Sequence, residues 1–123
     1  MENITPKTVL VSMGKAIAYI QRFATDPDEQ PKKATEYELP IKTIMFHGYE
    51  LMNVYYEDTN GQRKVRNILW TLQKYGYVTS RTIEQTTVIA RLGSPNKIKY
   101  KQRLWRITEK GLNKLKEIAK KRS

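Results

Sequence analysis

With 123 residues, of which 23 are Lys or Arg and 12 Asp or Glu, the chain is long enough for one apolar core and carries a formal net charge of +11. It has no cysteine and a single histidine, which excludes a disulfide framework, a thiolate metal site and a cysteine nucleophile, and argues against a zinc site. No apolar run nears the ~18 residues that suggest a membrane span, and the first residues lack the layout of a signal peptide, so a single cytoplasmic domain over 1–123 is expected.

Residues 7–24 (KTVLVSMGKAIAYIQRFA) read as a helix, with Leu10, Met13, Ile17 and Ile20 at helical spacing. Val9, Val11, Ala16, Ala18, Tyr19 and Phe23 widen its apolar surface beyond one stripe. Such a helix must be covered on most sides, either as the central core helix or by a second subunit. Residues 25–35 (TDPDEQPKKAT) form a polar connection. Residues 36–47 (EYELPIKTIMFH) are ambiguous, because Pro40 permits a short edge strand before it or a helix starting at it. After Gly48, residues 49–56 (YELMNVYY) suggest a short helix.

The clearest helix follows. Thr59 and Gln62 fit a capping box, and Gly76 fits the stop after Tyr75. Val65, Ile68, Leu69 and Leu72 form the stripe expected to be buried, and at ~100° per residue Arg63, Arg66, Asn67, Trp70 and Lys74 fall on the other face. From Tyr77 onward the β-branched residues Thr82, Ile83, Thr86, Thr87, Val88 and Ile89 predict strand. Gly93-Ser94-Pro95-Asn96 reads as the turn, and residues 98–107 as the returning strand. Thr108 is the expected cap of a last helix, 109–121, with Leu112, Leu115 and Ile118 as its apolar side and lysines over the rest.

The charge is segregated. Residues 1–60 hold 6 basic and 9 acidic side chains, a net of −3, whereas residues 61–123 hold 17 and 3, a net of +14. Solubility does not need such asymmetry, and a polyanionic partner does.

Two stretches together resemble the winged helix-turn-helix family. Val65–Val78 (VRNILWTLQKYGYV) looks like a recognition helix running into the first wing strand. Trp105–Leu112 (WRITEKGL) looks like the strand-to-helix junction after the wing in MarR-like and PadR-like regulators. The match spans roughly 49–115. It departs from the family at 36–48, which does not settle into a first strand and second helix, and at the acidic turn Glu57-Asp58-Thr59-Asn60. The resemblance implies an α+β, mostly helical fold, with a helix-turn-helix and wing over 49–108 and flanking helices at both ends. It also implies a homodimer that binds double-stranded DNA as a transcriptional regulator. The dimer is expected through residues 7–24, and nucleoid association if the source is prokaryotic or viral.

The residues support that expectation independently. The major groove admits one helix with a polar, cationic outer face, which Arg63, Lys64, Arg66, Asn67 and Lys74 supply. Trp70 on that face either meets sugar and bases or covers the first helix or a partner subunit. The second candidate site is the hairpin, with Arg91, Lys97, Lys99, Lys101 and Arg103. Period two puts the three lysines on one strand face, as phosphate contact requires, although lysines also guard an exposed edge. His47 lacks a partner of catalytic or metal-ligating type and reads as a structural or surface histidine. No Gly-rich phosphate loop, nucleophile elbow or paired acid–base motif occurs, so a binding module without cofactor, metal or membrane attachment is expected, rather than an enzyme. Two rivals stand beside the sequence-specific reading. One is a non-specific architectural, replication or partition protein on the same fold. The other is a protein–protein adaptor using Tyr49, Tyr55, Tyr56 and Trp70.

Overall fold

The computed structural model describes residues 4–24, 28, 32–47, 59–91 and 94–122. Among these the chain is α+β and mostly helical, with four α-helices and one small antiparallel sheet. In chain order the elements are α1 (Pro6–Tyr19), continued by a π-helical turn Ile20–Ala24, then a 3-10 turn Ala34–Glu36 and β1 (Leu39–Pro40). After these come α2 (Ile41–His47), α3 (Thr59–Lys74), β2 (Val78–Arg91), β3 (Ser94–Ile107) and α4 (Glu109–Arg122). No helix among the described residues is long and apolar enough to cross a membrane.

Helix α1 starts with a reciprocal cap. The Thr8 amide donates to Thr5 Oγ1 at 3.2 Å, the Thr5 amide donates to Thr8 Oγ1 at 2.8 Å, and Pro6 occupies the first turn, where its missing N–H costs nothing. The helix is central. Val9, Leu10, Met13, Ala16 and Ile17 are buried, and α2, α3 and α4 all pack against it. The broad apolar surface read from 7–24 is therefore mostly covered within the chain. The α-helix is shorter than expected, since residues 20–24 widen into the π turn, and at this end Tyr19 (49% exposed) and Phe23 (65%) remain outside the core.

The ambiguous stretch 36–47 contains both permitted forms. Leu39 and Pro40 make a two-residue edge strand beside Trp105 and Leu104, and α2 begins immediately after the proline. As an edge element, β1 tolerates a residue that cannot donate to the ladder. Arg81 in β2 ties down the chain ahead of β1, donating from Nε to Glu38 Oε2 at 2.5 Å and from Nη2 to Glu38 Oε1 at 2.9 Å. That hydrogen bond from Arg81 is the main cause holding the Glu38 carboxyl below its usual range, against a smaller opposing effect of burial. The link is complete above the ordinary carboxylate pKa and is lost as pH falls through the lowered one.

The expected short helix at 49–56 lies outside the described residues, as does the side chain of Thr59, on which the capping box depends. Helix α3 itself begins at Thr59. Its stripe packs as read, with Val65, Leu69 and Leu72 buried and Ile68 partly so. Its end is a Schellman motif, in which the Gly76 amide donates to Gln73 O at 3.0 Å and the Tyr77 amide to Leu72 O at 2.9 Å. Gly76 adopts φ +84°, a conformation costly for any residue with a Cβ.

Strands β2 and β3 pair without interruption from Val78↔Ile107 to Arg91↔Ser94. This corrects the expected turn at Gly93–Asn96. Counting outward from the packed pairs at the base puts Pro95 opposite Ala90 and Asn96 opposite Ile89, so both lie in the ladder rather than in a turn. At the base, Thr108 receives the Gly111 amide on Oγ1 at 3.1 Å and donates its own hydroxyl to Gly76 O at 2.6 Å, capping α4 as expected. A Cβ on Gly111 would lie 2.3 Å from Tyr77 O and 2.6 Å from Ile107 Cγ1. The glycine of the WRITEKGL stretch is thus required by the close approach of α4 to the bend before β2.

Candidate nucleic-acid interface

The site is assembled where α3 meets the base of the hairpin. Arg66, Asn67, Trp70, Arg63 and Lys74 are exposed on one side of α3. At 1.5 Å per residue the span from Arg63 to Lys74 is about 16 Å along the axis. Lys64 is exposed too, but by the same helical geometry it stands about 100° round the axis from Arg63 and about 160° from Arg66, between the outer face and the buried stripe.

On β3, alternation sends Lys97, Lys99, Lys101, Arg103, Trp105 and Ile107 to one face. Trp105 identifies that face as the one turned to α3. It is 2% exposed, and its ring meets Trp70 edge-on with centroids 5.4 Å apart. The strand then leaves the core behind, and Lys97, Lys99 and Lys101 stand exposed along the same side.

Arg103 occupies the boundary. Its guanidinium lies over the Trp70 ring at 4.5 Å and donates from Nη1 to Ser80 Oγ at 3.0 Å, and Ser80 in turn donates to Gln73 Oε1 on α3. Trp70 is 41% exposed. It packs against the hairpin, which was not among the expected partners, and stays partly in solvent.

A cleft of about 340 Å³ joins these parts, with Lys42, Arg66, Lys101 and Arg103 among its lining together with Trp70 and Trp105. Four cations from three elements thus converge on one concavity, and no carboxylate stands among the described residues of its lining. None of Arg63, Arg66, Lys97, Lys99, Lys101 and Arg103 forms an ion pair with a described carboxylate. Glu84 is the single acid in residues 78–107 and sits directly opposite Lys101 in the ladder.

Sequence reasoning missed Lys42, which belongs to the net-acidic first half. The signal was Pro40, since a helix that starts beside it places Lys42 in its first turn, next to the hairpin. Lys74 is exposed on α3 beyond the cleft, and Lys97 and Lys99 lie outward from it along the hairpin. Arg91 closes β2 opposite Ser94, and its side chain lies outside the described residues, as do Tyr49, Tyr55 and Tyr56. His47 is away from the cleft, against the Tyr19 ring at 4.7 Å, where burial lowers its pKa. Among the described residues no group of three or more His, Asp or Glu stands where it could hold a metal ion.

No protein-family model, curated protein or solved structure matches this chain.

Proposed function

We propose that this chain is a winged-helix protein that binds double-stranded DNA, reads sequence with α3, grips the backbone with the hairpin, and serves as a transcriptional regulator. The order α2, α3, long hairpin, α4 is compatible with that fold. The observation that carries the reading is the cleft shared by Lys42, Arg66, Lys101 and Arg103, free of acids among the described residues, which continues into the outer face of α3 on one side and the hairpin lysines on the other. A helix flanked by a cationic ridge suits a major groove bordered by its phosphates.

In this mechanism the lysines supply affinity through counterion release, and α3 supplies selectivity. Arg66 is placed to bridge guanine acceptors and Asn67 to pair with adenine. Arg103, fixed by Trp70 and Ser80, presents a preoriented cation for a phosphate at the junction. A homodimer is proposed through the end of residues 7–24 that the core leaves open, at Tyr19 and Phe23.

The test is competition between genomic fragments and random duplex in electrophoretic shifts, with mass by light scattering. A preferred fragment bound at least a thousandfold more tightly than random duplex fits a regulator. A ratio near unity makes the chain a non-specific architectural protein. No shift at low salt refutes DNA binding altogether and favours an adaptor.

A further inference from the structure

On another side of the molecule, α1, α3 and α4 line an open-sided cavity of about 400 Å³, at the lower end of the range for small-molecule sites. Its apolar walls are Leu10 of α1, Leu72 of α3, Tyr77 just after α3, and Ile118 of α4. Lys7, Lys114 and Lys121 also line it, and no carboxylate among the described residues does.

The lysines are the unexpected part. Positions 114, 118 and 121 recur at three- and four-residue intervals, so Lys114, Ile118 and Lys121 share one face of α4. The cavity shows that this face turns toward α1, where Lys7 adds a third ammonium group from the opposite wall. Lys114 reaches Glu117 at 3.4 Å on its own helix, and Lys110 lies over the Tyr77 ring at 4.8 Å, adding a further positive charge. Lys7 and Lys121 are exposed and Lys114 is half-exposed, so these ammonium groups stay hydrated, but gathered beside an apolar wall they repel one another, and a bound anion with an apolar body relieves that repulsion while it covers the wall.

We infer that this cavity binds an amphipathic organic monoanion, an aliphatic or aryl carboxylate, with its apolar part against Leu10, Leu72 and Ile118 and its carboxylate among Lys7, Lys114 and Lys121. The site is separate from the cleft at Trp70 and does not depend on DNA binding.

The probes are monomeric decanoate, the neutral decan-1-ol and inorganic phosphate, each titrated into the ¹⁵N-labelled full chain. Decanoate is expected to saturate, to shift the amides of Leu10, Leu72, Tyr77 and Ile118, and to bind at least tenfold more tightly than decan-1-ol or phosphate. The triple variant Lys7→Gln/Lys114→Gln/Lys121→Gln is expected to weaken decanoate at least tenfold. Should its spectrum show loss of the fold, Lys121→Gln alone is read, with a threefold or greater weakening expected. Equal affinity for decan-1-ol or for phosphate overturns the inference. So does an unchanged decanoate affinity in the folded variant, the absence of saturation, or shifts confined to the Trp70 and Trp105 indoles.

Discussion

Trp105 and Lys99 stand six positions apart on the same face of the same strand, yet one is the largest side chain of the core and the other projects into solvent. The base of the hairpin, where Val78, Trp105 and Ile107 are buried, is held by three helices and by β1. Among the described residues the outer part is held by β2–β3 pairing, and Thr86, Val88, Ile98 and Tyr100 are exposed there. Strand alternation is identical in both regions, so it cannot distinguish them. The difference is whether anything lies above the face. Beside Trp70 of α3 the strand carries Trp105, and further out it carries lysine. The same ladder thus serves as core at one end and as a cationic ridge at the other, with Arg103 at the crossover.

This division is easiest to break from the core side. Trp105→Ala should cost about 3–5 kcal/mol, because it removes a buried indole and the surface on which Trp70 rests. Chemical denaturation measures this, and a loss below 1 kcal/mol would mean that the base is not core. From the ridge side, Lys97→Gln/Lys99→Gln/Lys101→Gln should leave the denaturation midpoint unchanged and weaken duplex binding about a hundredfold near 0.1 M salt, whatever the sequence. Fluorescence anisotropy with random duplex checks this, and a drop in stability instead would assign these lysines to edge protection.

The next effect is smaller and differs in kind. Arg66→Ala should reduce discrimination between a preferred site and random duplex by about 1–3 kcal/mol while keeping most of the salt dependence. If Arg66→Ala and the lysine triple behave alike, helix and hairpin do not divide the work. The smallest effect has the opposite sign. Glu84→Gln removes the one acid facing Lys101, and affinity for any duplex should rise about two- to threefold at low salt. An unchanged or weakened affinity would place the duplex elsewhere than along this face.

Much of this was legible in the residues, for reasons that differ by element. Helix α3 was legible because Val65, Leu69 and Leu72 repeat at the helical period and Gly76 supplies the left-handed residue at its end. The cap at Thr108 was equally local. The hairpin tip was not, because Pro95 and Asn96 have sound turn chemistry but the register is set far away, by the pairs Val78↔Ile107 and Ser80↔Trp105. Stretch 36–47 was unreadable for the same reason, since its two-residue strand exists only because the edge of β3 passes beside Leu39 and Pro40. In the site, single-element faces such as Arg63–Lys74 and Lys97–Lys101 followed from periodicity alone. The inclusion of Lys42, and the locking of Arg103 by Trp70 and Ser80, depended on tertiary neighbours that no local pattern encodes.

The most direct test of the account is the slope of log affinity against log salt for random duplex, measured side by side for the unaltered chain and the hairpin lysine triple. With about six phosphates engaged per pair of protomers the unaltered slope should lie near −5, and in the variant it should flatten by at least about half. Two slopes that coincide would contradict the central claim that the outer hairpin is the part of the molecule that holds a nucleic-acid backbone.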